Sequence, residues 1–328
     1  MAIHPLGKNQ SKTVVPVSVR TAVNADHAGT IAALPETRGF WPDLWRRYRQ
    51  NRLALFGLFV LLALVIIALI GPLLYNIDPT TISPSYNLNA FPSAANWLGT
   101  DNTGRDTLAR LIYGLRVSLL VAVFVETINI TVGATLGLLA GYFGGMVDFV
   151  ISRLADMLFA FPGLLLAILV SAVFGKAAED QFGSVGRLLI VTGALSLVGW
   201  PLMARYVRGQ TLTLRERDYV LAARSLGADS RRILLRHILP NLAGLIVVSS
   251  TLDIANVVIA EAVLSLLGLG IQPPDSSLGI MITQATPFIS VNWTQVFFPS
   301  AVLTLIVLSV SFIGDGLRDA LDPQSRSH

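Results

Sequence analysis

Three carboxylates, Glu126, Asp253 and Glu261, stand inside otherwise apolar windows of this chain. Ionisable side chains at membrane depth face protein or water rather than lipid, and carboxylates so placed can relay protons. A second group is basic. Arg217, Arg224, Arg231, Arg232 and Arg236 crowd in and beside "DYVLAARSLGADSRRILLRHILPN" (218–241), a stretch with apolar runs on both sides. Such a loop could bind nucleic acid, set membrane topology, or dock a partner. Its lack of aromatics beyond Tyr219 argues against nucleic acid.

Other chemistry is missing. The lysines are Lys8, Lys12 and Lys176, and "FGKAAED" lacks the upstream glycine and the hydroxyl of a phosphate loop. There is no H-E-x-x-H, and His4, His27, His237 and His328 are too scattered for a metal cluster. The absence of cysteine excludes disulfides and thiolate-held metals. "GLGIQPPD" has two glycines but no following helix to hold a dinucleotide phosphate. No serine has a plausible His/Asp partner. The sequence therefore predicts no catalytic centre, bound cofactor or metal on this chain.

The elements that carry these residues are membrane spans. Of 328 residues, 53% are hydrophobic and 13% charged, with mean hydropathy +0.64. Soluble domains carry about 25% charged residues, so this deficit implies an integral membrane protein. A spanning helix needs about 20 mostly apolar residues, and six windows qualify: 53–75, 117–142, 154–174, 188–207, 238–264 and 296–316. Basic residues favour the cytoplasmic side. "WRRYRQNR" precedes the first span, eight arginines lie between Arg205 and Arg236, and residues 265–295 have no Lys or Arg. Both termini and residues 208–237 are therefore expected inside, with 76–116 and 265–295 outside. "FWPDLWRRYRQNRL" reads as an interfacial helix feeding the first span. Residues 1–39 lack a signal-peptide core and read as a poorly ordered cytoplasmic tail.

Gly133, Gly137 and Gly141 recur every four residues, which suits close helix contact. Packing within the chain and a dimerisation face both fit. In the basic loop, Asp218 is expected to N-cap a short helix, "YVLAARSL", ended by Gly227 with positive φ. Asp229 or Ser230 would cap a second helix that runs into the fifth span. Pro240, lacking an N–H, would kink that junction. Leu221, Ala222, Ala223 and Leu226 give the first helix a small, apolar surface outside the membrane. The result would be a two-helix docking lever.

These residues resemble the "EAA" loop of ABC-transporter permeases: "LAARSLG", then "HILPN", places Leu221, Ala222, Ala223, Gly227, Leu239, Pro240 and Asn241 on the pattern. Leu221 stands where that family has glutamate, three residues after Asp218, the place of a capping-box acid. "WLGTDNTGRDTLARLIYGLRVSL" (97–119), "GYFGGMVDFVISRLADMLFAFP" (141–162), "WPLMARYVRGQ" (200–210), "SLLGLGIQPPDSSLG" (265–279) and "FIGDGLRDALDP" (312–323) extend the likeness. Together they resemble the C-type permease subunit of dipeptide, oligopeptide and nickel importers, from about residue 40 onward.

The resemblance implies an all-α integral membrane protein with six transmembrane helices, the type I importer fold. It implies an interfacial helix and first span over 40–75, an external loop over 76–116, and a five-helix core over 117–317. The coupling loop (208–237) and a cytoplasmic tail (318–328) complete that division. Implied partners are a homologous B-type permease, two cytoplasmic ATP-binding subunits carrying ATP and Mg, and an external substrate-binding protein, in a bacterial inner membrane. Asp218, Leu221, Ala222, Ala223, Arg224, Gly227 and Pro240 would form the coupling element resting against an ATPase. "GTDNTGRD" would lie outside, where a binding protein could dock, although its composition equally suits tight turns. A rival from another class is a proton-coupled secondary transporter built on the three carboxylates.

Overall fold

The computed structural model describes residues 40–82, 87–272 and 275–321, and the expectations for both terminal tails lie outside them. Apart from two isolated bridges, the described regular structure is helical. α1 (Phe40–Tyr48) places Arg46 and Arg47 in its last turn. Asn51 then starts α2 (Arg52–Leu74), its Oδ1 accepting from the Leu53 and Ala54 N–H groups at 3.1 Å each. Such a cap satisfies donors that a helix start leaves open. α3 (Thr107–Ile128) is capped by Asp106 and passes through a π-helical turn, Asn129–Ala134, into α4 (Thr135–Phe143).

α5 (Gly145–Phe159) is separate, so the third span starts later than the window at 154 suggests. Pro162 precedes α6 (Gly163–Leu214), a helix of 52 residues. At 1.5 Å per residue a straight helix of that length would reach about 78 Å, far beyond a bilayer. It is folded in two at Gly183, whose φ of +63° and ψ of −151° break the helix. A Cβ on Gly186 would lie 2.1 Å from the Ala178 carbonyl oxygen, and one on Gly163 would lie 2.5 Å from Val198. Residues 35 apart can touch only if the halves run antiparallel. Five helical segments are long and apolar enough to cross a membrane, and the hairpin makes one of them two spans.

After α6 come α7 (Asp218–Ser225), the short α8 (Ser230–Arg232), a second π turn (Ile233–Ile238) and α9 (Leu239–Leu266). α10 (Leu278–Ala285) and α11 (Thr294–Leu321) follow.

Lipid tails are as apolar as leucine, so close backbone approach holds spans together. The glycine stripe supplies it within the chain. Cβ atoms at Gly133, Gly137 and Gly141 would fall 2.6, 2.4 and 2.7 Å from Trp200, Ala204 and Thr211, respectively. The open choice at that stripe thus resolves to internal packing against the second half of α6. α2 meets α11 in the same way, with Gly57 against Ser309 and Gly316 against Ala54. Leu115, Val121, Val125, Val191, Val258 and Ile306 fill the bundle centre. A second cluster lies under the basic loop and includes Met203, Val207, Leu214, Val220, Ile233 and Leu242.

Candidate functional site

The basic loop folds as two short helices around one glycine. α7 begins with Arg217 at the N-cap, in extended conformation, and Asp218 is its first helical residue, with no side-chain cap bond. The expected Asp218 cap is therefore wrong by one position. Its carboxylate still sits in the first turn, where negative charge suits the helix dipole. Leu221 is consequently the fourth helical residue, and the capping-box account of that position fails with it. Gly227 does end the helix, at φ +82°. Its N–H donates to the Arg224 carbonyl and the Ala228 N–H to the Ala223 carbonyl, each at 3.0 Å, the paired bonds of a Schellman turn. Asp229 starts the second helix, accepting from the Arg232 N–H at 3.3 Å. Pro240 is the second residue of α9, just after the π turn, and the helix from Ser230 continues to Leu266 through a local widening.

One face of α7 is anchored and the other is open. Val220 is fully buried, with Leu214, Ile233 and Ile238 in the same cluster. In water, burying such a side chain contributes about 1.5–3 kcal/mol. Leu221, Ala222 and Arg224 are exposed, Ala223 is half-buried, and Leu226 is 88% exposed. Among the described residues, Arg217, Arg224, Arg231, Arg232 and Arg236 form no ion pair. The structure thus brings Leu221, Ala222, Arg224 and Gly227 to one surface. Pro240 stands apart, at the root of α9.

Residues outside the loop hold it, and sequence spacing gave no sign of them. Arg224 lies 5.7 Å from the Tyr142 ring centroid, and the Tyr142 hydroxyl is 3.4 Å from Ser230 Oγ. Arg215 donates to the Gly141 carbonyl at 3.0 Å, satisfying an open group near the end of α4. Beside it, Arg208 on α6 grips Asp148 on α5 with two nitrogens, one at 2.6 Å. These Arg208 bonds outweigh the effect of burial and, with Ser152, hold the Asp148 carboxyl below the usual range.

The three carboxylates divide between two places. Glu261 is fully buried and accepts from Ser118 Oγ at 3.0 Å and Ser265 Oγ at 2.7 Å, with Ser277 Oγ 3.1 Å from Ser265. Glu126 and Asp253 share one donor, Asn129 Nδ2, at 3.4 and 3.3 Å. No bond among the described residues links Glu261 to that pair.

At the opposite end of the bundle, the "GTDNTGRD" segment is closed around Asp101. Asp101 Oδ1 accepts from the Thr103 N–H, the Arg105 N–H and Thr103 Oγ1 at 2.7–2.8 Å. Its Oδ2 takes Arg105 Nε at 2.9 Å and Arg110 Nη1, while Arg110 Nη2 reaches Gln284 on α10 at 2.7 Å. Burial pushes the Asp101 carboxyl up. The Arg110 charge, the Arg105 N–H, Thr103 and the Arg105 charge together pull it further, to below its ordinary value.

Known proteins share this architecture. The family profile described as binding-protein-dependent transport system inner membrane component matches residues 133–327. The N-terminal TM domain of oligopeptide transport permease C matches residues 39–92. The dipeptide transport system permease protein of Bacillus subtilis is 40% identical, covering 87% of this chain and 86% of its own. The glutathione transport system permease protein of Pectobacterium atrosepticum is 42% identical over 88% of this chain and 92% of its own. Among solved structures, an inward-facing form of the MetNI methionine ABC transporter aligns with TM-score 0.51. That match is 19% identical and covers 65% of this chain and 96% of that one, a likeness of fold alone. With one profile spanning the helical core and relatives near 40% identity along most of its length, the chain belongs to the family of binding-protein-dependent transport system inner membrane components.

Proposed function

We propose that this chain is the C-type permease subunit of an ATP-driven importer of di- or oligopeptides in a bacterial inner membrane. It forms the translocation path with a homologous B-type permease. Two cytoplasmic subunits bind Mg-ATP, and an external binding protein delivers substrate. The reading draws its substrate class from relatives described as dipeptide, oligopeptide and glutathione permeases.

The observation that carries it is the α7 surface: a short helix closed by the Gly227 turn, presenting Leu221, Ala222 and Leu226 beside arginines that form no ion pair among the described residues. Small residues let a partner approach closely, and the arginines frame the contact. Because the helix from Ser230 runs into α9, a push on α7 reaches the middle of the bundle. ATP binding would favour one arrangement of the loops and so shift the permease between inward- and outward-facing states. In this reading both termini and α7 are cytoplasmic, while the Asp101 segment and α10 are external.

The proton-coupled alternative finds no support, since Glu261 is bonded apart from Glu126 and Asp253. The experiment is uptake into vesicles holding the complete complex. Import that requires ATP and the binding protein is expected. Uptake driven by a proton gradient without ATP would overturn the assignment. Topology is checked with a cysteine placed at Ser225, which should react with an impermeant reagent only from the cytoplasmic side.

A further inference from the structure

Asp253 is a half-buried carboxylate in the middle of a spanning helix, and Asn256, three residues on, is exposed there. Residues three apart share a helix face. A carboxylate at that depth needs protein or water beside it, and its described partner is Asn129 Nδ2 at 3.3 Å. No cation pairs with it among the described residues. Behind it, Glu126 Oε1 and Asn129 Oδ1 are buried without a hydrogen-bond partner. The site thus offers a carboxylate with no cation beside it among the described residues, and unused acceptors.

Asp253 and Asn256 line a cavity of about 350 Å³ between α6, α9 and α11. Leu202, Met203, Tyr206, Leu245 and Leu252 contribute its walls, and Arg318 lines it from α11. That volume falls in the range of small-molecule sites, which combine apolar walls with a few placed polar groups. Arg318 is exposed and makes no ion pair among the described residues. Its neighbour Asp319 instead accepts from Asn51 at 3.4 Å.

The two charges are spaced. A Cβ on Gly314 would meet Leu252 at 2.6 Å, and one on Gly244 would meet Leu321 at 3.3 Å. α9 and α11 are therefore antiparallel, with Arg318 opposite residues 247–248. Asp253 lies five to six residues further along α9, an axial offset of about 8 Å at 1.5 Å per residue. Two extended residues of peptide span about 7 Å.

We infer that the Asp253–Asn256–Arg318 cavity is a binding subsite for a zwitterionic peptide, taking its ammonium group at Asp253 and its carboxylate at Arg318. Asn256 supplies a neutral polar contact beside the ammonium, and the apolar walls tolerate varied side chains. The cavity runs from mid-span toward the α7 end, so it holds substrate on the exit side. This inference rests on the proposed peptide-importer function.

The test needs no binding protein. The chain has no native cysteine, and Ser249 lines the cavity. Ser249→Cys in the complete permease–ATPase complex is labelled with a maleimide, with or without saturating alanyl-alanine. About tenfold slower labelling is expected with the free dipeptide, and less than twofold slowing with N-acetyl-alanyl-alanine amide. Asp253→Asn or Arg318→Gln, each recovered as intact complex, should abolish the protection. Equal effects of free and blocked peptides would overturn the inference. So would absence of protection in a complex that imports alanyl-alanine, and there the importer assignment would stand. Loss of ATP-dependent uptake by the parent would instead remove the assignment itself, whereas protection by the zwitterion alone would still support the subsite.

Discussion

The segments around Asp101 and Gly227 are made of similar residues: aspartates, arginines and glycine with φ near +80°, two in the first (Gly99 and Gly104) and one in the second. They come out as opposites. Around Asp101 each charge is answered, Arg105 and Arg110 by Asp101, and the group is buried under α10. Around Gly227 the arginines outnumber the aspartates, no described ion pair neutralises them, and Leu226 faces outward. Charges closed internally make a fixed plug, whereas charges and leucines left open make a surface for another molecule. Composition alone does not separate the two, and pairing does.

The sharpest way to break this contrast is to open the closed end. Asp101→Ala would leave Arg105 and Arg110 as buried like charges, a loss of about 3–5 kcal/mol in stability. The expected outcome is a large drop in melting temperature of the purified complex, with a smaller drop for Asp101→Asn. The same carboxyl has a depressed pKa when folded. Its contribution is therefore present above the ordinary carboxylate range and is lost as pH falls through its lowered value. Between neutral pH and about pH 3, the parent should lose more melting temperature than Asp101→Asn.

Closing the open end is the next test. Leu226→Glu should leave the melting temperature unchanged, since the side chain touches little, while reducing recovery of ATPase subunits by tenfold or more on co-purification. Unchanged recovery would mean that this surface docks nothing.

A smaller effect distinguishes shape from contact at the hinge. A Cβ on Gly227 would meet nothing within 4 Å, so only the backbone objects to a side chain. Gly227→Val should cost about 1–2 kcal/mol and uncouple ATP hydrolysis from uptake. Gly227→Asn, tolerant of positive φ, should behave nearly as the parent. Equal defects in both variants would point to a contact rather than a conformation.

Features set by one or two residues could be read in the sequence. Gly227 and Asp229 mark the turn and the second helix start, and the apolar windows mark the spans. Asp218 misled because Arg217, a poor capping residue, takes the N-cap position when Val220 is drawn into the core. The late start of the third span also escaped, because apolar residues of α5 extend its window backward. Long-range partners left no local trace: Tyr142 under Arg224 is 82 residues away in sequence, and Arg318 reaches the Asp253 cavity only through antiparallel packing of α9 and α11.

The π turn at Ile233–Ile238 has a consequence for angle as well as shape. It holds one residue more than an α-helical turn, and one residue is worth about 100° of rotation. Everything on the α7 side is therefore out of phase with α9 by roughly that angle. Deleting a single residue there would let the helix heal into ordinary α geometry and would swing Leu226 about a third of the way around the axis. The docking face would survive intact but point along a different bearing.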